Sequence, residues 1–193
     1  MNFQHSIQTL SKLGAFFKHQ AQTNNEVFYK AHIHNPWFTV PYVQKAVAAW
    51  GDELSADNIQ SWLASYQNIS TPAPKTVAII MAGNIPLVGL HDLLSVLACG
   101  HKAIVKLSAD DTVLMKWVIE NLIAIEPDLA NRIEIIEHRL PKDFDAVIAT
   151  GSNNTNRYFE YYFKTKPHLL RKARTSVAVL TGHETPEDYK TWG

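Results

Sequence analysis

Hydrophobic positions in the first third of the chain repeat every three to four residues. This spacing recurs in the segments 3–17, 43–50 and 59–66, and it places the apolar side chains of each segment on one face of a helix. Pro36 and Pro41 interrupt the chain between these segments, because proline disfavours helical backbone in the residue before it. The pattern therefore predicts a helical N-terminal segment.

From residue 76 onward, short apolar runs alternate with helical spacing. The apolar run 76–82 is typical of a strand covered on both faces. A helix is predicted after it, with a proline in its first turn, one apolar face and a glycine at its C-cap: Pro86, Leu87, Leu90, Leu94, Leu97 and Gly100. Further strands are predicted at 102–107, 133–136, 146–150 and 177–180, with a helix capped by Ser108 or Asp110 and a short helix over 155–163. This alternation predicts an α/β fold, an open parallel Rossmann-like sheet with flanking helices and right-handed crossovers.

The composition narrows the class of protein. The 193 residues, 46% of them hydrophobic, suffice for a buried core. Lys and Arg number 18, as do Asp and Glu, so there is no net positive charge to hold a nucleic acid. Cys99, the single cysteine, excludes an internal disulfide, and the nine histidines form no recognisable metal motif. No signal peptide is recognised, and the most apolar stretch, 77–90, is too short to span a bilayer. We therefore expect a cytoplasmic protein without membrane insertion.

Polar groups suited to a nucleotide follow three of the predicted strands. Ligands of open parallel sheets bind beyond the C-terminal ends of the strands. Gly83 and Asn84 follow the first strand and offer close backbone approach and an amide donor, while the second strand ends in the cation Lys106. The fourth is followed by Gly151 and Ser152. A glycine turn, a hydroxyl and the free N–H groups of a helix start form an anion site.

Each of these groups also has a purely structural interpretation. Asn84 is equally suited to cap the helix behind it, Lys106 to end a strand in solvent, and Ser152 to cap an ordinary turn. The sequence contains neither the GxGxxG fingerprint of dinucleotide-binding folds nor a P-loop motif. The three strand exits favour a nucleotide site only when they are taken together.

The order of these motifs resembles that of the aldehyde dehydrogenase superfamily, whose cofactor domain lacks the usual glycine fingerprint. Gly83-Asn84-Ile85-Pro86 is similar to its Trp-Asn-aromatic-Pro stretch, Val105-Lys106-Leu107-Ser108 to its Lys-Pro-Ser, and Thr150-Gly151-Ser152 to its Thr-Gly-Ser. The stretches 84–94 and 171–180 resemble more closely the acyl-CoA reductase branch, which includes the fatty acid reductase of luminous bacteria. The resemblance covers roughly residue 76 to the end of the chain.

The resemblance implies a role for each matching residue. Asn84 is implied as the catalytic residue, donating its side-chain amide to the oxyanion of a tetrahedral intermediate. Lys106 would bind the ribose hydroxyls beside the adenine, and Ser152 would contact the pyrophosphate. The cofactor-binding residues implied are Gly83, Lys106, Ser108, Gly151 and Ser152.

Two departures from the superfamily pattern bear on the reaction. Leu170 occupies the place of the glutamate that activates water in aldehyde dehydrogenases, which disfavours oxidation to a free acid and favours a thioester reductase. Ala109 stands where NAD-preferring members commonly have a glutamate for the ribose 2′-hydroxyl. NADPH is therefore favoured over NADH, although Asp110 and Asp111 follow directly.

The family's nucleophilic cysteine belongs in a second, catalytic domain. We expect it to lie beyond Gly193, which makes this chain a fragment. Cys99 is expected to be a small core residue at the end of a buried helix. The predicted organisation is a helical N-terminal segment (1–72), an NAD(P)-binding Rossmann-like domain (73–175) and the start of a truncated catalytic domain (176–193).

Three functional hypotheses remain open at this point. The first is an acyl-CoA reductase that takes an acyl-CoA or acyl thioester and uses NADPH or NADH. It is compatible with a homo-oligomer. The second is a nucleotide-binding module without catalysis. The third is another small-molecule enzyme on a similar sheet, such as a methyltransferase, but Lys106 stands where that class needs an acidic residue. A nucleophilic cysteine separates the first two, and nicotinamide binding separates both from the third.

Overall fold

The computed structural model describes residues 3–66, 73–172, 177 and 179–187. Four helices precede an alternation of strands and helices: α1 (Phe3–Ala21), α2 (Glu26–His34), α3 (Val40–Glu53), α4 (Ala56–Ala64), β1 (Thr76–Ile80), α5 (Leu90–Ala98), β2 (Lys102–Lys106), α6 (Thr112–Ile125), β3 (Ile133–Ile136), β4 (Ala146–Thr150), α7 (Asn153–Phe163) and β5 (His168–Arg171). Short 3-10 turns occupy Ala109–Asp111 and Pro127–Asn131. No helix in the described ranges is both long and apolar enough to cross a membrane.

Capping residues explain where several of the first helices begin. The Asn25 side chain accepts the Val27 N–H at the start of α2, and Ser55 accepts the Asn58 N–H at the start of α4. Pro41 lies in the first turn of α3, where the missing N–H costs no helical hydrogen bond. The helical N-terminal segment is therefore present as the spacing predicted.

The five strands form one parallel sheet in the order β3-β2-β1-β4-β5. Ala78 of the central strand β1 pairs with Ile104 of β2 on one side and with Val147 of β4 on the other. This arrangement confirms the predicted open, parallel Rossmann-like sheet. The chain builds β2 and β3 on one side of β1 and then crosses to build β4 and β5 on the other, so the strand order reverses between β1 and β4.

One face of the sheet shares a core with the N-terminal helices. Side chains alternate along a strand, and Val77, Ile79 and Met81 lie in the larger buried cluster with Leu13 and Phe17 of α1. The N-terminal segment is therefore part of the packing that covers this face.

The opposite face of the sheet is covered by α7. Ala78, Ile104 and Val147 lie in a smaller buried cluster, against which Phe159 and Phe163 of α7 pack. This packing fixes α7 against β4 and β5, and it holds the N-terminal end of α7 at the point where β4 ends.

Aromatic rings attach the N-terminal segment to α6. The ring centroids of Phe17 and Trp117 are 5.8 Å apart, and Phe28 approaches the same indole edge-on at 5.9 Å. The Nε2 atom of His34 lies 2.6 Å from the carbonyl oxygen of Ala109. The described helices and the sheet therefore form one packed unit.

The predicted domain boundaries fall in segments that lie outside the described residues. The first, between residues 72 and 73, adjoins the segment 67–72, and the second, between residues 175 and 176, lies within 173–176. The division into three parts accordingly stays a prediction.

The last predicted strand is wrong in position. The fifth strand is β5, whereas Val177, Val179 and Leu180 lie outside any strand and are exposed, and Ala178 is outside the described residues. The sequence signal of β5 is weak because only its two central residues are apolar. An edge strand has one neighbour and tolerates exposed positions on both faces.

Two predictions around α5 are also corrected. Cys99 is exposed rather than a core residue. The buried face of α5 ends with Leu97, and a residue two positions later points to another side of the helix. The helix begins at Leu90, so Pro86 lies before it rather than in its first turn, because Leu87 has a φ angle of 60° that no right-handed helix accommodates.

Replacing Phe17 by alanine should destabilise the fold by about 3–5 kcal/mol, because a fully buried ring is removed and a cavity remains. Denaturant unfolding followed by tryptophan fluorescence and by circular dichroism measures the change. Both probes should report one transition with the same midpoint, since the helices and the sheet share a core. The control Tyr29→Ala removes a half-exposed ring and should cost less than about 1 kcal/mol. Two separate transitions in the unmodified chain would contradict the shared core.

Candidate functional site

A crevice of about 790 Å³ opens at the carboxyl ends of β1, β4 and β5. It lies where the strand order reverses, which is where open α/β sheets bind their ligands. The polar part of its lining includes Asn84, His91, Asp92, Gly151, Ser152 and Arg171. The structure therefore brings together three of the six residues that the sequence singled out, Asn84, Gly151 and Ser152.

The N-terminal end of α7 forms one wall of this crevice. Ser152 is the N-cap of α7, and its Oγ accepts the N–H of Thr155 at 3.2 Å. A Cβ atom added to Gly151 would lie 3.1 Å from Thr155 and 3.2 Å from Phe159, so this glycine permits close packing of α7 against β4. The first turn of a helix carries partial positive charge and unpaired N–H groups, which suit an anion.

Asn156 holds this wall in place. Its side chain is fully buried, and Nδ2 lies 2.9, 3.0 and 3.1 Å from the carbonyl oxygens of Gly151, Ser152 and Arg171. One amide group thus connects the end of β4, the start of α7 and the end of β5. The sequence alone does not single out this residue, because its contact with Arg171 is recognisable only once β5 is known.

An ion pair at the crevice joins α5 to β5. A guanidinium nitrogen of Arg171 donates to the Oδ1 atom of Asp92 at 2.9 Å. Burial by itself would raise the pKa of the Asp92 carboxyl, but the nearby ring of His91 and the charge of Arg171 lower it below its usual value. Asp92 is therefore ionised at neutral pH. Lys172, which also lines the crevice, is paired with Glu160 at 2.8 Å on the surface.

The other three predicted residues lie at the exits of β1 and β2, outside the lining of the crevice. The Nζ atom of Lys106 donates to the carbonyl oxygen of His138 at 3.0 Å. Ser108 accepts the N–H of Asp110 and so caps the turn before α6. A Cβ atom on Gly83 would come within 2.5 Å of the Ser108 Oγ, so glycine is required where these two exits pack together.

The loop from Gly83 to Leu87 carries Asn84 into the crevice. Asn84 is exposed, whereas Leu87 is fully buried and has the left-handed backbone noted above. The N–H of Leu87 donates to the Oδ2 atom of Asp111 at 2.7 Å. This hydrogen bond joins the end of the loop to the start of α6.

Asp111 is a buried carboxyl group, which the sequence presents only as a residue close to Ala109. Its side chain is 2% exposed, and its Oδ1 atom has no hydrogen-bond partner. Burial raises the pKa of Asp111 to about 7, although the hydrogen bond from Leu87 acts in the opposite direction. The pair Asp110-Asp111 at a helix start was the available sequence signal, but it does not reveal which carboxyl is buried.

A second, mostly apolar pocket of about 360 Å³ lies beside the crevice. Helices α3, α4 and α5 form it, and its lining includes Trp50, Leu54, Ile59, Trp62, His91 and Leu94. His91 lines both spaces, so the apolar pocket and the crevice adjoin. Within the described ranges, no three His, Cys, Asp or Glu side chains are grouped so that they could hold a metal ion.

Solved structures similar in fold to this chain include a betaine aldehyde dehydrogenase and an oxidoreductase. A double mutant of betaine aldehyde dehydrogenase from Staphylococcus aureus, in complex with NAD+, matches with a TM-score of 0.66 and 14% identity over 90% of this chain and 38% of that one. Another structure of that enzyme with NAD+ gives 0.63 and 13% over 88% and 37%. An oxidoreductase from Marinobacter aquaeolei gives 0.64 and 14% over 91% and 41%. The chain therefore has the aldehyde dehydrogenase fold and spans about two fifths of the length of these relatives.

The family follows from the sequence match. A family model described as Acyl-CoA reductase (LuxC) matches residues 45–186, a range that contains every strand and all six predicted site residues. The chain thus belongs to the acyl-CoA reductase (LuxC) family, in agreement with the resemblance of its motifs. No curated protein sequence matches the chain.

Replacing Asp111 by asparagine should stabilise the fold above neutral pH. The pKa of Asp111 is raised in the folded state, so its contribution to stability is fully present below the unfolded pKa of 3.8 and is lost as the pH rises through about 7. The difference in unfolding free energy between variant and unmodified chain should therefore grow by about 2–3 kcal/mol from pH 5 to pH 8. Urea unfolding at both pH values measures it. Asp128→Asn, at an exposed carboxylate, is the control and should show no such growth; an equal change in both variants would contradict the buried charge.

Replacing Asn156 by alanine should destabilise the fold by about 1–3 kcal/mol, because the part-buried carbonyl oxygens of Gly151, Ser152 and Arg171 lose their contact with its Nδ2 atom. Asn121→Ala removes a single hydrogen bond, to the carbonyl oxygen of Trp117 within α6, and should cost less than about 1 kcal/mol. Thermal and urea unfolding compare the two variants. Equal losses would show that Asn156 is not the connection between β4, α7 and β5.

Proposed function

We propose that this chain is the cofactor-binding portion of an NAD(P)H-dependent acyl-CoA reductase, which converts an acyl thioester to an aldehyde through a cysteine acyl-enzyme. The nucleophilic cysteine lies outside this chain in the proposal, since Cys99 is at the far end of α5 from the strand exits. The observation that carries the proposal is the crevice at the reversal of strand order, lined by Asn84 and the N-terminal end of α7, in a member of the acyl-CoA reductase family.

The start of α7 is the proposed site for the cofactor pyrophosphate. The Ser152 side chain is already used to cap the helix. The backbone N–H groups of the first turn would therefore supply the main attraction for phosphate oxygens. Lys106, the last residue of β2, is the proposed partner of the ribose beside the adenine. Its Nζ atom here contacts the backbone carbonyl of His138. The dehydrogenases of the same fold that contain NAD+ support a nicotinamide cofactor.

The surroundings of Ala109 support NADPH as the preferred cofactor. Asp111 is buried and its carboxyl is directed to Leu87, so it is not available to repel a 2′-phosphate. Asp110 remains exposed beside Ala109, and NADH therefore stays the alternative. The difference in affinity between NADPH and NADH would depend on the single exposed charge of Asp110, which salt screens. Both cofactors are therefore compared in the same binding experiment.

Asn84 is the proposed donor to the oxyanion. When a thiolate attacks the thioester carbonyl, a sulfur–carbon bond forms and negative charge develops on the carbonyl oxygen. A side-chain amide held in the crevice stabilises that charge until the bond to the coenzyme A sulfur breaks and the thiol leaves with a proton. When bound, NAD(P)H supplies the hydride that converts the acyl-enzyme to aldehyde and thiolate.

Two further features support reduction of an acyl group. Leu170 packs against the smaller core cluster, so the position of the missing glutamate offers no carboxylate to activate water. The apolar pocket between α3, α4 and α5 adjoins the crevice through His91 and suits the alkyl part of an acyl thioester. The second candidate function is a nucleotide-binding module without catalysis, which shares the crevice and differs in having no nucleophile.

Binding of NADPH to this chain tests the proposal directly. Lys106→Ala should weaken NADPH at least about tenfold, because a charge-assisted contact to the ribose or its phosphate is lost. Lys116→Ala, at an exposed position on α6, should leave the affinity unchanged. Isothermal titration with NADPH and NADH measures both variants, and acyl-CoA-dependent oxidation of NADPH by a complete enzyme containing this chain tests the reaction. If neither cofactor binds the folded chain, or if Lys106→Ala binds as tightly as the unmodified chain, the proposed site is wrong.

A further inference from the structure

Asp111 stands at the N-cap of α6 but does not cap it. An aspartate at this position normally accepts an N–H group from the first turn of its own helix. Here the side chain makes no capping hydrogen bond, and Oδ2 instead accepts the N–H of Leu87, 24 residues earlier in the chain. The carboxyl group is therefore used to hold a distant loop rather than its own helix.

The loop held in this way is the one that presents Asn84. At its start, Gly83 packs so closely on Ser108 and the backbone N of Asp111 that a Cβ atom would lie 2.5 and 3.1 Å from them. At its end, Leu87 is fully buried in a left-handed conformation that is unfavourable for leucine. Asn84 lies between these two fixed points, so its position depends on the contacts at both ends.

Holding the loop costs stability. The Asp111 carboxyl is 2% exposed with one oxygen unpartnered, and burial raises its pKa to about 7. A neutral or apolar residue would avoid the unpaired charge. Costly ionisable groups of this kind concentrate at functional sites, and this one lies next to a candidate catalytic loop.

We propose that Asp111 is a positioning residue, whose hydrogen bond to the Leu87 N–H fixes the loop that aims the Asn84 amide into the crevice. The inference rests on the proposed role of Asn84. A carboxylate accepts a stronger hydrogen bond than a neutral carboxyl group, so the hold on the loop tightens as Asp111 ionises. Loss of the acceptor frees the end of the loop and lets Asn84 move away from the position it occupies here.

Other titratable groups near this segment define the controls. His34 of α2 contacts the Ala109 carbonyl oxygen, Asp110 adjoins Asp111 in the chain, and His91 of α5 lines the crevice with Asn84. Histidine side chains are ionisable as well. A response of the loop to pH is therefore assigned to Asp111 only if it persists when the histidines are replaced.

The first experiment follows the Asn84 side-chain amide by NMR in this chain from pH 5 to pH 9. Its signals and the Leu87 N–H should shift with a midpoint near neutral pH in the unmodified chain and in the His34→Gln, His91→Gln and Asp128→Asn variants. In Asp111→Asn the shift should vanish, because asparagine keeps the acceptor and does not ionise. The inference is overturned if the Asn84 amide signals do not change with pH, or if they change equally in Asp111→Asn.

The second experiment is a double-mutant cycle in a complete enzyme containing this chain, with thioester-dependent release of coenzyme A as the readout. Asn84→Ala should lower kcat for acylation by about 100-fold to 1,000-fold. Asp111→Ala should lower kcat by about 10-fold to 100-fold with KM nearly unchanged, and Asp111→Asn should retain most of the activity. If Asp111 acts through Asn84, adding Asp111→Ala to Asn84→Ala should cost nothing more.

The outcomes separate the inference from the proposed function. Full activity of Asn84→Ala contradicts the proposed function. A loss in Asn84→Ala together with full activity in Asp111→Ala leaves that function standing and overturns the positioning role. The same loss from Asp111→Ala with and without Asn84 overturns it as well, because Asp111 would then act on the structure generally. Asp111→Asn keeps the test valid if Asp111→Ala fails to fold.

Discussion

The parallel pairing of β1 with both β2 and β4 is the constraint on which the rest of this structure depends. A strand between two parallel neighbours places three chain exits at one edge of the sheet, and the reversal of strand order sends the connections to opposite faces. The exits of β1 and β4 must therefore separate, and the crevice is the space they leave. Helices α5 and α7 begin on either side of that space because the connections have no other direction to follow.

Each wall of the crevice is then fixed by a buried polar group rather than by apolar packing alone. Asn156 connects the backbone at the ends of β4 and β5 with the start of α7. The pair of Asp92 and Arg171 connects α5 to β5. At these strand ends, side chains add hydrogen bonds to those of the backbone. The walls of the crevice therefore depend on polar contacts as well as on apolar packing.

The sequence was sufficient to predict the first four strands and the helical segment before them, because their apolar patterns are strong. It located the crevice through Asn84, Gly151 and Ser152, since these residues directly follow strands. It failed where a residue's environment is set by contacts across the chain. Nothing local distinguishes the buried Asp111 from the exposed Asp110, and Cys99 follows a buried helical face without belonging to it. The close packing of Gly83 on Ser108 also becomes visible only in three dimensions, and the assignment of both residues to the cofactor stays a prediction.

The hydrogen bond between Leu87 and Asp111 makes one part of the site depend on a segment that comes later in the chain. The loop that carries Asn84 is made early in the chain, but the group that fixes its end follows only after α5 and β2. The loop alone therefore does not contain all the contacts that fix its end, and the crevice needs the start of α6 as well as the strands that flank it. A shortened chain that ended before α6 would lack the acceptor for the Leu87 N–H, even though it contained Asn84.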